Sequence, residues 1–217
     1  MVPFSSSEQP ARKLYVSAEN TSVRMFRNDV LDYLSRVRPW VPLALYGPLA
    51  VLCLTLHFYR SRHWWPGCGL VALGLAAWTL FEYSLHRWVF HYSSHSAWSQ
   101  RLHFIIHGVH HDYPNDALRL VMPPVVSVPL AILIYGLSRL VWGAVPGLAF
   151  YAGFVMGYLV YDNLHYAVHH FNFRNRWFQR LKRHHMWHHY RDPSRGFGFT
   201  SGFWDWVFGT DFSKPRR

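Results

Sequence analysis

Long apolar runs alternate along this chain with polar stretches rich in histidine. Four runs, near residues 40–59, 68–85, 121–142 and 143–164, each approach the ~20 residues that cross a bilayer as a helix. Pro42 and Pro48 fall in the first, and Pro123, Pro124 and Pro129 in the third. Membrane helices tolerate such breaks where neighbours satisfy the freed carbonyls. The last two runs abut at 143–147, so their connection must be tight. Buried helices of a soluble protein are the competing reading, and runs of this length argue against it. The pattern predicts an all-α integral-membrane protein with four transmembrane helices.

An even number of crossings puts residues 1–39, 86–120 and 165–217 on one side of the membrane. Those stretches carry Arg12, Lys13, Arg24, Arg27, Arg36 and Arg38, then three and ten further Lys/Arg, whereas the opposite first loop has only Arg60 and Arg62. By the positive-inside rule the crowded side is cytoplasmic. The expected organisation is a cytoplasmic N-terminal segment, 1–39, and a membrane domain, 40–217, whose loops form a cytoplasmic helical cap. The host membrane would be the endoplasmic reticulum in a eukaryote or the inner membrane in a bacterium. Residues 1–39 are polar and basic and lack the apolar core of a secretory signal.

The net charge of +11 fits anionic lipid headgroups better than nucleic acid. No zinc-finger, basic-zipper or RNA-binding motif accompanies it, so no nucleic-acid partner is expected. Aromatics at 18% suit membrane–water interfaces. Cys53 and Cys68 are too few for a disulfide framework or a thiolate metal site.

The polar stretches hold the chemistry. Ten of the sixteen histidines form four clusters: His86 with His91; His107, His110 and His111; His165 with His169; and His185, His188 and His189. All four clusters fall on the cytoplasmic side by the span count. Neutral imidazole is the commonest side-chain metal ligand. Residues three or four apart share a helix face, while adjacent ones diverge by ~100°. His110/His111 and His188/His189 therefore suit two neighbouring ions better than one. His86 and His91, five apart, need a broad face or a local break in the helix. No HExxH and no carboxylate-rich two-iron pattern is present, so the ligand shell should be almost all imidazole. His57 and His63 lie on the far side; His95, His103, His170 and His184 are off pattern. Glu82 and Asp162 lie four and three residues before cluster histidines, where each can support a ligand's second ring nitrogen.

With these clusters in view, the chain resembles the integral-membrane fatty acid hydroxylase superfamily, and most of all its fatty acid 2-hydroxylase branch. The matching text is FEYSLHRWVFH (81–91), LHFIIHGVHHDYPNDALRLVMPP (102–124), YDNLHYAVHH (161–170) and HHMWHHYRDPSRGFGFTSGFWDWVFGT (184–210). The likeness covers about 40–212. It implies a dimetal centre held by the ten clustered histidines. The implied metal is iron, although such sites also accept zinc. It places Tyr161 and Asp162 near the carboxyl end of the substrate; for Asp162 this stands beside the ligand-support reading.

The implied activity is a dioxygen-dependent monooxygenase that hydroxylates carbon 2 of a fatty acid or fatty acyl lipid drawn from the membrane. Many members of this branch carry a fused haem domain, and residues 1–39 are too short for one. Electrons are therefore expected from a separate haem or iron–sulfur carrier with its reductase. Phe197, Phe199, Phe203, Trp204 and Trp206 can either roof the substrate channel or anchor the tail at the interface. Rival readings are a desaturase or a hydroxylase of sterol, sphingoid base or carotenoid, and, outside catalysis, a membrane metal-binding protein. A transporter would need ligands near the bilayer midplane, which the clusters do not offer.

Overall fold

A computed structural model describes residues 13–61, 63–92 and 95–213. Among them every regular element is helical. A short helix α1 (Asp29–Leu34) follows an extended segment. Asn28 caps it by accepting hydrogen bonds from the Val30 and Leu31 N–H groups. Two long helices come next, α2 (Val41–Arg60) and α3 (Trp64–Ser84). The chain then makes two short helices, α4 (Ala97–His103) and α5 (Val109–Asp112). Two more long helices follow, α6 (Pro124–Trp142) and α7 (Pro146–His170). The chain ends in α8 (Arg176–Tyr190) and α9 (Phe203–Phe208).

Among the described residues three stretches are long and apolar enough to cross a membrane: Val41–Arg60, Trp64–Phe90 and Pro124–Trp142. The stretch expected as a fourth span is the helix α7, whose length suffices but whose composition falls short of a membrane-crossing helix. The reason is its position. α7 packs against α3, α2 and α6, so its neighbours cover it, and fourteen of its residues are buried. A helix so enclosed has little need of an apolar surface and can carry Gly147, Gly153, Gly157, Tyr151, Tyr158 and Asp162.

Two glycine contacts set how closely α3 and α7 approach. A Cβ on Gly74 would lie 2.2 Å from the Phe150 carbonyl oxygen, and one on Gly153 would lie 2.1 Å from that of Val71. Around the crossing, Trp78, Phe154, Tyr158, Tyr46 and Leu159 form the main core. The tight link expected at 143–147 is a turn at Gly143, whose φ of +85° suits a residue without a Cβ.

The segment before α2 is bound to the rest of the protein. Val16 and Ser17 N–H donate to the Asp112 carbonyl, and Val37 N–H to that of Leu118. Arg119, 2% exposed at its side chain, reaches Asp32 and Asp116 and donates to the Val23 carbonyl and the Ser35 hydroxyl. Burial by itself would raise the Asp32 carboxyl. Hydrogen bonds from the Met25 and Phe26 N–H groups and the Arg36 guanidinium outweigh it and hold the group at about 2.

Candidate metal centre

The long helices α3 and α7 end in ligand-type residues, and the other two clusters come from α4–α5 and α8. Past Ser84, α3 widens into a π-helical turn, Leu85–Phe90. There His91 N–H donates to the His86 carbonyl at 3.1 Å, an i to i+5 bond. This is the local break that the five-residue spacing required, and it aims both rings at one point. A second π turn, Phe104–Gly108, carries His107 and runs into α5 with His110 and His111. His165 and His169 sit one turn apart at the end of α7. His185, His188 and His189 line one side of α8.

The ten rings gather into two groups of five, each with its ligand-type nitrogens within 4.8 Å of one another. The first holds His86, His91, His107, His111 and His188; the second holds His110, His165, His169, His185 and His189. The adjacent pairs divide as helix geometry demanded, His110 from His111 and His188 from His189. His111 and His189 stack with centroids 4.2 Å apart, so the groups adjoin. His57, His63, His103, His170 and His184 stand outside both groups. His57 is buried and donates Nδ1–H to the Val145 carbonyl, a structural hydrogen bond.

The rings suit cations on hydrogen-bonding grounds. His86 Nδ1 lies 2.7 Å from the Phe197 carbonyl and His188 Nδ1 lies 2.6 Å from that of Arg195. A carbonyl only accepts, so both Nδ1 atoms carry the proton and both Nε2 atoms present a lone pair. His91 Nε2 sits between them, 3.2 Å from His86 Nε2 and 3.0 Å from His188 Nε2, and has one proton at most to share. A metal ion satisfies all these lone pairs at once. Burial first, and then the neighbouring imidazoles, hold His107, His110, His111, His185 and His189 well below the usual histidine range. These rings stay neutral, the form that binds metal. His165 Nδ1 lies 3.3 Å from the Leu120 carbonyl, which orients one ring of the second group in the same way.

The two acidic residues act differently from the expectation that they support ligands directly. Glu82 accepts from the N–H groups of Phe199 and Thr200 and from the Thr200 hydroxyl, so it holds the tail loop. Asp205, fully buried, holds the same loop through the Phe197 and Gly198 N–H groups. That loop presents the Phe197 and Arg195 carbonyls to His86 and His188, so Glu82 acts on the ligands through backbone. Asp162 reaches no ligand nitrogen, and its Oδ2 is buried without a hydrogen-bond partner among the described residues.

A sequence model of the fatty acid hydroxylase family matches residues 71–210, the stretch that holds all ten rings. The chain belongs to the fatty acid hydroxylase family. The hydroxylase is 38% identical over 189 residues to the dihydroceramide fatty acyl 2-hydroxylase FAH2 of Arabidopsis thaliana, covering 86% of this chain and 79% of that protein. It is 32% identical to the human fatty acid 2-hydroxylase, covering 87% of this chain and 56% of the relative. A solved structure described as full-length scs7p, with only the hydroxylase domain visible, superposes with a TM-score of 0.81 at 35% identity. It covers 88% of this chain and 74% of that one.

In the hydroxylase a cavity of about 260 Å³ ends on rings of both groups, His107, His110 and His165. Its wall is mostly apolar, from Ile105, Ile106, Leu120, Val121, Met122 and Val126, with Tyr161, Asp162 and Arg119 as polar elements. Met25, Phe26, Leu31, Leu34 and Ser35 also line it. No sequence pattern marks these five, which precede the residues that the family model matches; the apolar side of a six-residue helix is the signal they carry. The tail aromatics offered as a roof do not line this cavity. Phe197 packs on His86 and His188, Phe199 on His165 and His185, and Trp204 donates to Thr79. Phe197 and Phe199 are walls of the metal centre, because the loop bonded to Glu82 and Asp205 turns them inward, whereas Phe203 and Trp206 are exposed.

Proposed function

We propose that this enzyme hydroxylates carbon 2 of a fatty acid or fatty acyl lipid, with dioxygen as the oxygen source. One observation carries the reading: the apolar cavity ends on rings from both five-histidine groups, so a chain lying in it points its reactive carbon at the centre. Two iron ions held by those groups would supply the dioxygen chemistry; zinc can occupy such sites in purified protein. The names of the relatives, a dihydroceramide fatty acyl 2-hydroxylase and a fatty acid 2-hydroxylase, support the same reaction.

The protein's own part is placement and exclusion of water. Aliphatic side chains take the acyl tail. Asp162, with a buried oxygen lacking a partner, accepts a hydrogen bond from a donor near the acyl carbonyl, an amide N–H or a hydroxyl. Tyr161 stacks on His165, with rings 5.5 Å apart, and limits how the chain end turns. Both residues act on substrate in this reading.

We further propose that α2, α3, α6 and α7 all cross the membrane, within a hydroxylase domain of 40–217 that follows a segment 1–39. The centre then lies at the cytoplasmic face. A haem or iron–sulfur carrier with its reductase supplies electrons, as the reduction of dioxygen requires. The decisive experiment is lipid analysis of a host lacking 2-hydroxy acyl lipids, with and without this chain. Appearance of 2-hydroxy fatty acids supports the reading; hydroxylation elsewhere or a new double bond, with none at carbon 2, overturns it.

A further inference from the structure

The side of α8 that faces away from the metal centre is a stripe of arginine. Arg176, Arg180, Arg183 and Trp187 follow at i, i+4, i+7 and i+11, and Arg191 extends the line just past the helix. At 3.6 residues per turn these positions share one face, about 20 Å long and roughly opposite His185. All five side chains are exposed. Among the described residues none of the four arginines pairs with a carboxylate, and no acidic residue occurs between Asp162 and Asp192. The Arg191 guanidinium lies over the Trp187 ring at 5.3 Å, which ends the stripe in an indole framed by positive charge.

Position separates this stripe from a lipid-binding surface. The rings of α8 meet those at the ends of the long helices: His185 Nε2 is 2.9 Å from His169 Nε2, and His188 Nε2 is 3.0 Å from His91 Nε2. The centre is thus held between α8 and the ends of α3 and α7, and the arginine face of α8 points away from the long-helix bundle. One helix diameter, about 10 Å, separates that face from the ligands. Trp187 adjoins the ligand-type His188 in sequence, and its ring packs edge-on against Phe212.

We propose that this stripe docks an acidic one-electron carrier protein that feeds the metal centre. The inference rests on the hydroxylase reading. Each turnover places one oxygen atom in the new C–OH bond and reduces the other to water. It therefore takes two electrons and two protons; the carrier is oxidised twice, and the protons come from solvent. A ring of carboxylates around the carrier's redox group complements the arginines, and Trp and Arg are the side chains most enriched in interface hot spots.

The test uses the full chain in nanodiscs of neutral lipid, with a soluble acidic haem carrier of the cytochrome b type as probe. The R180E/R183E and milder R180Q/R183Q variants should keep wild-type metal content and thermal midpoint. Carrier affinity should fall about tenfold or more in the glutamate pair and less in the glutamine pair, with a weaker salt dependence in both. Unchanged affinity in both pairs would overturn the proposal. So would an affinity of the wild type for phosphatidylserine vesicles that exceeds its affinity for the carrier and vanishes in the variants, since the stripe would then be a lipid site. Single-turnover product from dithionite-reduced protein is measured in parallel. Absence of 2-hydroxy product there counts against the hydroxylase reading, while the binding arm still reports on docking.

Discussion

The Gly153→Ala change tests whether the α3–α7 crossing holds the metal centre together. The added Cβ would lie 2.1 Å from the Val71 carbonyl oxygen and 2.8 Å from its carbon. Both neighbours are backbone, so no rotamer change gives relief. Ordinary contact begins near 3.4 Å, and the helices must part by about 1.3 Å at this point. Overpacking of a close crossing costs about 1–3 kcal/mol, and backbone contact places this case near the upper end. For a chain of this size that lowers the thermal midpoint by about 6–12 °C. The consequence reaches the ligands, because α3 carries His86 and His91 while α7 carries His165 and His169. Metal–ligand distances tolerate changes of only about 0.2 Å. The variant should therefore lose metal as well as stability. Thermal unfolding of purified protein and elemental analysis measure the two effects. Gly69→Ala is the control, since nothing lies within 4 Å of its added Cβ. A Gly153→Ala protein matching that control in midpoint and metal content would refute the reasoning.

The His188→Ala and His110→Ala variants should each abolish hydroxylation and lower the metal-to-protein ratio from about two toward one, because the residues lie in different five-ring groups. Two retained ions, or near-normal product at matched expression, would count against the assignment. Asp162→Asn should lower activity more than metal content, since among the described residues the Asp162 Oδ2 makes no hydrogen bond to a ligand ring; parallel losses by elemental analysis would make it a support of the centre. Asp32, depressed from 3.8 to about 2, favours the docked N-terminal segment at pH above about 4, and that contribution fades as pH falls through 2. Protection of amides in residues 13–37, taken relative to the intrinsic exchange rate at each pH, should thus fall on acidification; Asp32→Asn should already show lower protection at neutral pH, and equal protection there would contradict the anchor.

Much of this centre was legible because imidazole ligation leaves a spacing pattern. The split of His110 from His111 follows from helix geometry, and the gap between His86 and His91 foretold a departure from the α-helix. What stayed hidden is mostly backbone. The Phe197 and Arg195 carbonyls orient two rings, and every residue has a carbonyl, so no side-chain pattern marks them. Glu82 stands out for its place four residues before His86, yet its partners lie 117 and 118 residues on, in a loop. Residues 25–35 build one side of the cavity with an ordinary mixture of apolar and charged side chains. Their role depends on the Arg119 contacts, which only the fold brings together.

The enclosure of α7 also bears on how such a protein is made. In the proposed four-span topology, α7 must leave the translocation machinery carrying Asp162, several tyrosines and a face of glycines that lipid would not welcome. Partitioning on its own merits is unfavourable for such a segment. Its passage depends on companions: α6, joined through the turn at Gly143, can enter with it as a hairpin, while α2 and α3 are already in place to receive it. Biogenesis and tertiary packing are then one event for this helix. A substitution on the receiving face of α3 can leave α7 stranded in the aqueous phase, where quality control would remove the chain before any metal is loaded.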